Sequence, residues 1–360
     1  MPYRVIQWST GNVGRLALRA IIQNPTLELA GVWVSSAAKA GKDAGELCGL
    51  PPVGIRATND ADALLALDAD CVSYNATADL RPSDAVDDIC RILEAGKNVV
   101  STSIVSLIYP PAADPSMVAK LEAACRKGKT SFFTSGIDPG FANDALPLTL
   151  LSACERVDSV RVMEILNYDT YDQAEVLFGT MGFAKPLDHT PLLLIPGVLT
   201  LAWGAVIRVI AAGLGAEIDE IREVHEKRPA PEAFTVPSGP VPAGTMAGLR
   251  FEVQGVVDGR VAIVLEHVTR LRDDIAPDWP QPAGHGSYRI EIKGSPSFTC
   301  DVQLEGEDGD HNTGGLVATA MRTLNAIPAV CAAPPGLISV LDLPLVSAPG
   351  ALRARGGATR

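Results

Sequence analysis

The sequence predicts an α/β protein: an amino-terminal doubly wound parallel sheet, then a second α+β domain built on a mixed or antiparallel sheet. Three observations carry this. Short apolar runs alternate with helical stretches from residue 3 to about 140, as in a parallel sheet covered by helices. A glycine turn joins the first strand to the first helix. After residue 150 the texture changes to long strands with partial alternation, which suits a sheet with one buried face.

The first unit reads strand Tyr3–Trp8, turn Ser9-Thr10-Gly11-Asn12-Val13-Gly14, helix Arg15–Gln23 and strand Leu27–Val34. A buried strand that enters a helix through a tight turn leaves free backbone N–H groups at the helix N-terminus. Those donors and the positive end of the helix dipole suit a pyrophosphate. The dinucleotide fingerprint G-x-G-x-x-G holds Ser9, Gly11 and Gly14 at its three places. Ser9 stands where another small residue can make the turn, Gly11 where backbone must approach phosphate, and Gly14 where helix must lie close to strand. This is the start of a Rossmann domain, and it makes a redox enzyme the first hypothesis.

Further elements follow in order. Arg56–Thr58 reads as a short strand, and Asp60–Leu67 as a helix capped by Asn59 or Asp60. Cys71–Asn75 is a strand, and the helix Ser83–Ala95 is closed by Gly96. Then come strand Asn98–Ser101, helix Pro115–Lys127 stopped by Gly128, and strand Thr130–Thr134. In the second domain Val157–Leu166 is a strand, and an apolar helix follows, broken at Pro196-Gly197. A loop from Pro229 to Gly248 leads to strands Leu249–Val257, Val261–Leu271, Ser287–Lys293 and Ser297–Leu304, expected to be antiparallel. Asn312-Thr313 caps a helix to Asn325, with Pro328 and Pro334-Pro335 ending the ordered part. The expected domains are therefore 1–140, with 312–346 packing back on it, and 141–311 for substrate and dimerisation. Residues 347–360 have the composition of a disordered tail.

Composition narrows the partners. With 42 acidic against 30 basic residues, the net charge of −12 disfavours nucleic acid and anionic membrane. The uncharged stretch Pro191–Ile207 would span about 26 Å as a helix, marginal for a bilayer, and reads better as a buried helix. No apolar leader precedes the first strand, so no secretion signal is expected. Cys48, Cys71, Cys90, Cys125, Cys154, Cys300 and Cys331 are scattered without a C-x-x-C, which fits reduced thiols in a cytoplasm. No His, Cys or carboxylate set has metal-ligand spacing, so no metal is implied.

Cofactor choice is read at the end of the second strand, where NAD enzymes usually carry a carboxylate. Here Ser35, Ser36 and Lys39 stand instead, with Arg15 behind Gly14, which favours the 2′-phosphate of NADP, NAD being the alternative. Asn75, Ala76 and Thr77 follow one strand, and Thr102 another, where loops touch a cofactor or merely cap the strand ends. The loop Gly136–Asp144, with Pro139 and two glycines, is more heavily specified than a plain turn needs. It is expected at the nicotinamide end, with Pro139 against the cofactor and Asn143 toward the chemistry. Glu164, Tyr168, Asp169 and Tyr171 cluster near the end of strand Val157–Leu166, where a Tyr can protonate a carbonyl and a Glu can hold an iminium. His267 lies mid-strand on an apolar face, as a proton shuttle or a satisfied core histidine.

At these residues the chain resembles a family. The amino-terminal turn, Gly41–Leu47, the Gly136–Asp144 loop and the segment Ala318–Pro335 are similar to the dihydrodipicolinate-reductase-like oxidoreductases, within them to the 2,4-diaminopentanoate dehydrogenase and native amine dehydrogenase branch. The resemblance covers residues 1–345. It implies a Rossmann domain, a mixed α+β second domain, a homodimer and reversible NAD(P)-linked reductive amination; the expected substrate is small and apolar. No His-His pair with a K-x-D-A-P-S-G-T motif is present, which argues against dihydrodipicolinate reductase itself. The resemblance also implies a glutamate in the loop Ser101–Pro110, and that loop holds no carboxylate. Either another residue supplies the acid or base, with Glu164, Tyr168, Tyr171, His267 and Asn143 as the candidates, or the substrate is not an amine. The alternatives are a ketone or aldehyde reductase with Tyr168 or Tyr171 as proton donor, and a catalytically silent NADP-binding sensor or partner protein.

Overall fold

The computed structural model describes residues 1–78 and 81–352, and the chain divides into two units. The first comprises Met1–Ile137 with Leu316–Arg360, the second Asp138–Gly315. In the first unit, strands β1 (Tyr3–Trp8), β2 (Leu27–Trp33), β3 (Cys71–Tyr74), β4 (Asn98–Ser101) and β5 (Ser131–Thr134) are joined by helices. These are α1 (Asn12–Gln23), α2 (Ala44–Leu47), α3 (Ala61–Leu65), α4 (Pro82–Glu94) and α5 (Pro115–Gly128). The sheet is six-stranded and wholly parallel, in the order Gly336–Ile338, β5, β4, β3, β1, β2. Its strands are buried because helices cover both faces, as parallel sheets require.

The sixth strand is not the expected Arg56–Thr58. That segment forms only single bridges, Trp33 to Thr58 and Asp43 to Arg56. The place is taken by Gly336–Ile338, directly after the two prolines expected to end the order; they precede the strand and so remove no donor from it. The closing helix also runs farther than expected, from His311 to Ala332 through Pro328. Asp310, not Asn312, caps it by accepting from the Thr313 N–H at 2.7 Å. By length and composition it could cross a bilayer. In the structure it packs Ala320, Leu324, Ile327 and Val330 into the core beside α1 and β2.

Of the two glycines expected to end helices in the first unit, one does different work. Helix α5 includes Gly128, and the left-handed residue behind it is Lys129 at φ 58°. A Cβ on Gly128 would lie 1.8 Å from the Leu93 carbonyl oxygen. Gly128 thus permits close contact with α4, not a turn. Gly96 does close α4 in the left-handed region, at φ 78°.

The second unit holds α6 (Ala145–Leu151), β6 (Arg156–Asn167), α7 (Val198–Leu214), β7 (Glu220–Pro229), the small hairpin β8 (Phe234–Val236) and β9 (Gly239–Val241), and strands β10 (Met246–Val257), β11 (Arg260–Arg270), β12 (Gly286–Ser295) and β13 (Phe298–Val302). Its large sheet runs β13, β12, β6, β11, β10, β7. It is mixed, because β6 and β11 pair in parallel while the other neighbours are antiparallel. Two stretches not expected to form strands do so, Glu220–Pro229, for which no element is expected, and part of the expected loop. Glu220–Pro229 carries charges at most positions and lacks an apolar period, which an exposed edge strand tolerates. The segment from Pro229 to Gly248 contains β8 and β9.

The apolar stretch becomes α7, with Gly197 at its N-cap in the left-handed conformation. Leu199, Val206, Ile207 and Ile210 pack in one core with Val162, Leu249, Val253 and Leu265 of the sheet. The sheet's other face is not simply solvated: Glu266 is 1% exposed and held by Arg161 and by Arg250, the latter at 2.7 Å. Of the expected tail, residues 353–360 lie outside the described residues, while the Pro349 carbonyl accepts from Asn24 at 3.3 Å.

Candidate functional site

The first unit builds a turn fit for a dinucleotide. Ser9 adopts φ 79°, so the tight-turn place of the fingerprint is a left-handed serine. Gly11 is the N-cap of α1, with no side chain capping the helix and no acidic residue in its first turn. A Cβ on Gly11 would meet nothing within 4 Å, whereas one on Gly14 would lie 2.4 Å from the Ser9 carbonyl oxygen. Gly11 thus borders open space above free N–H groups, and Gly14 is required by the chain itself. Asn12, Val13 and Arg15 complete the first turn of α1.

Lys39 reaches back to this turn, its Nζ donating to the Thr10 carbonyl at 2.9 Å and the Thr10 hydroxyl at 3.2 Å. Ser35 and Ser36 are exposed after β2. Asn75 follows β3 and donates to the Thr102 hydroxyl at 3.0 Å, tying two of the expected cofactor loops together. The Ala76 carbonyl accepts from Ser103, and Thr77 is exposed beside it. A nicotinamide dinucleotide fits these residues: free helix donors, a cradle that a Cβ on Gly11 would fill, and an ammonium at the turn. Pro139 belongs to the other unit, in a cis peptide with Asp138.

The two glycines make separable predictions. Gly11→Ala should leave thermal unfolding within about 1 °C and raise the cofactor Kd roughly tenfold, since only a ligand would meet the methyl. Gly14→Ala should lower the unfolding temperature by several degrees, because the turn must open to admit the Cβ. Differential scanning calorimetry with cofactor titration reads both; equal destabilisation by the two would contradict the assignment.

The second unit collects the acid–base groups, and strand register explains how. Tyr288, Glu164, His267 and Phe251 stand opposite one another across β12, β6, β11 and β10. They share one face because side chains alternate along each strand. Asp138 joins them from the loop before α6. His267 Nε2 lies 3.2 Å from Asp138 Oδ2, and His267 Nδ1 lies 3.6 Å from Glu164 Oε2. The first is an ion-pair contact off the hydrogen-bond line, leaving Nε2 without an aligned partner. Tyr168 donates to Glu164 Oε1 at 3.0 Å, and Trp203 Nε1 to Asp138 Oδ1 at 2.8 Å. Phe251 stacks on the imidazole at 4.6 Å, and Trp203 meets it edge-on at 4.7 Å.

Burial sets the charges. It pushes the Glu164 carboxyl up to about 8; His267 opposes the rise and Asp138 adds to it. Burial also acts to raise Asp138, but the His267 charge first, then the close polar groups of His267 and Glu164 and the Trp203 hydrogen bond, outweigh it and hold the carboxyl below its ordinary value. For His267, burial favours the neutral ring, yet Asp138 and then Glu164 raise its pKa. At neutral pH the cluster therefore holds an Asp138 carboxylate and a protonated Glu164, beside a His267 ring that both carboxyl groups bias toward its charged form. Burial raises Tyr168 well above the ordinary phenol, with Glu164 adding to it, so Tyr168 stays a donor. The three ionisable groups also lie close enough to hold a cation. Each ring nitrogen of the histidine already faces a different carboxylate, however, and that arrangement moves protons better than it chelates.

Of the expected catalytic residues, the fold brings Glu164, Tyr168 and His267 together. Tyr171 stacks on Tyr168 at 4.8 Å, one step from the carboxylate. Asn143 does otherwise: its Oδ1 accepts from the Gly140 N–H at 2.8 Å and so braces its own loop, while its Nδ2 is buried without a partner. Asp169 is exposed, and its backbone N–H bonds the Asn167 side chain. Sequence reasoning missed Asp138 and Trp203. Asp138 could have been found as the carboxylate nearest Pro139 in the loop already singled out.

Comparison with known proteins bears on the family and the fold. Residues 141–354 match the family model of the 2,4-diaminopentanoate dehydrogenase C-terminal domain. The chain is 41% identical over 351 residues to an amine dehydrogenase of Streptomyces virginiae, covering 96% of this chain and 98% of that one. It is 26% identical over 266 residues to 2,4-diaminopentanoate dehydrogenase of Acetoanaerobium sticklandii, covering 72% and 70%. The solved amine dehydrogenase of Mycobacterium smegmatis superposes with a TM-score of 0.75 over 97% of this chain and 98% of that one, at 20% identity.

Proposed function

The chain belongs to the amine dehydrogenase and 2,4-diaminopentanoate dehydrogenase family, and on that premise we propose that it is an NAD(P)-dependent oxidoreductase acting at the carbon of a C–N bond in a small, apolar amine. The observation that carries the reading beyond the family is the buried Glu164–His267–Asp138 cluster. It supplies the acid–base function for which the loop Ser101–Pro110 has no carboxylate.

The balanced reaction takes a primary amine, oxidised cofactor and water to a carbonyl compound, ammonium and reduced cofactor. The bound nicotinamide supplies the hydride acceptor. This chain's residues do the rest. Gly11 and the N–H groups of α1 bind the pyrophosphate, and Lys39 the adenosine end. As a carboxylate, Glu164 takes a proton from the substrate ammonium and passes it to solvent, then takes one from the water that adds to the iminium carbon and returns it to the leaving amine. As a carboxylic acid it protonates the departing oxygen in the amination direction. A pKa of about 8 keeps both forms accessible near neutral pH. His267 and Asp138 hold the charge balance, and Tyr168 fixes the orientation of the carboxyl. Supplying primary amines with NADP or NAD should yield reduced cofactor and ammonia in equal amounts. No reduced cofactor across a broad amine panel would overturn the reading.

The preferred cofactor is NADP, for which Lys39 against the turn and the absence of a carboxylate at Ser35 and Ser36 are the support. Lys39→Ala should weaken NADPH about tenfold and NADH less than about twofold. Equal loss for both would refute the preference, as would a wild-type KM lower for NADH. We further propose a homodimer, as the sequence resemblance implies, in a reducing cytoplasm, for which the seven scattered cysteines without a C-x-x-C are the support.

A further inference from the structure

Gln7 is fully buried in β1, an interior strand of a parallel sheet, where an aliphatic residue is the ordinary occupant. Its Nε2 donates to the Ser9 carbonyl at 2.7 Å and to Asn75 Oδ1 at 2.8 Å. Asn75 Oδ1 also accepts from the Ser73 hydroxyl at 3.0 Å, and Asn75 Nδ2 donates to Thr102 at 3.0 Å. Both close neighbours of Gln7 Nε2 are acceptors, so the orientation of the amide follows from the network. Gln7 Oε1 is left buried without a partner. An unpaired buried carbonyl is costly, so the position is not explained by packing alone.

The carbonyl that Gln7 holds belongs to Ser9, the residue in the left-handed region. A Cβ on Gly14 would lie 3.2 Å from the same Gln7 nitrogen. The amide therefore sits directly beneath the turn, between Ser9 and the start of α1. It is fastened in turn to the ends of β3 and β4 through Asn75 and Thr102.

We propose that Gln7 is a positioning residue for the cofactor. Its amide holds the Ser9–Gly14 turn in the shape that presents the N–H groups of α1 to phosphate, and it links that turn to the loops after β3 and β4. Without the donor, Ser9 relaxes from its left-handed conformation and the ligand must restore it on binding, which lowers affinity. This rests on the nicotinamide-cofactor reading above.

Gln7→Met keeps the volume and removes the donor. Cofactor binding is read by quenching of Trp8 and Trp33, which stack at 4.8 Å at the ends of β1 and β2. The Kd and KM for NADPH should rise about tenfold, while kcat and the KM for amine at saturating cofactor move less than about twofold. Should that variant fail to fold, Ser73→Ala tests the network from β3, loosening Asn75 and raising the NADPH Kd about threefold. A folded Gln7→Met, or Ser73→Ala in its stead, that melts earlier yet binds NADPH within about twofold of wild type overturns the proposal and leaves a packing role. A wild-type chain that binds neither NADPH nor NADH would instead sink the cofactor reading itself.

Discussion

Replacing Glu164 by Gln is expected to reduce kcat for amine oxidation by about 10²–10⁴, the range for losing a positioned general acid or base. The amide keeps the shape and an acceptor for Tyr168 but cannot exchange a proton. In the wild type, kcat/KM for amine oxidation should rise with pH through an inflection near 8, where burial places the carboxyl. The variant should lose that inflection along with the rate. A stability experiment checks the same group independently. A carboxyl whose folded pKa is raised binds its proton more tightly folded than unfolded. The stability this lends is complete below the ordinary value of 4.5 and is lost as pH rises toward 8. Denaturant unfolding of the wild type should therefore weaken across that window, and Glu164→Gln should flatten the slope. An unchanged slope would place Glu164 outside the titrating cluster.

Asp138→Asn is expected to have the largest effect on stability, about 3–5 kcal/mol at pH 5.5, because it leaves the buried His267 charge without its partner. The pH window follows from the two shifts. Asp138 is depressed, so its contribution is present above the ordinary 3.8 and is lost as pH falls through its lower folded value. His267 is raised, so its contribution is full below the ordinary 6.5 and is lost as pH rises through its higher folded value. The difference between variant and wild type should thus peak between about 4 and 6.5 and shrink on either side. A pH-independent difference would mean that the carboxyl acts through packing or through Trp203 alone.

Much of the first unit was legible in the sequence because its determinants are local. A strand, a turn and a helix in succession need only their own residues, and Ser9, Gly11 and Gly14 lie within one turn of each other. The strand Gly336–Ile338 was not legible. It is three residues long, follows two prolines, and is called into the sheet only by β5. The second unit shows the same division. Glu164 and His267 could each be named from their strands, but their meeting depends on the parallel pairing of β6 with β11, which no local period announces. Trp203 read as one more apolar residue of a buried helix, and only the fold turns its indole N–H toward Asp138. Gln7 interrupts an apolar strand, a visible anomaly whose meaning needed Asn75 beside it.

The most direct test runs the reaction toward the amine. A small apolar ketone and NADPH are supplied with and without ammonium, and both cofactor oxidation and product are measured. The structure predicts oxidation that requires ammonium and yields one amine per NADPH, abolished in step with amine oxidation by Glu164→Gln. Ammonium-independent oxidation yielding the alcohol would contradict it.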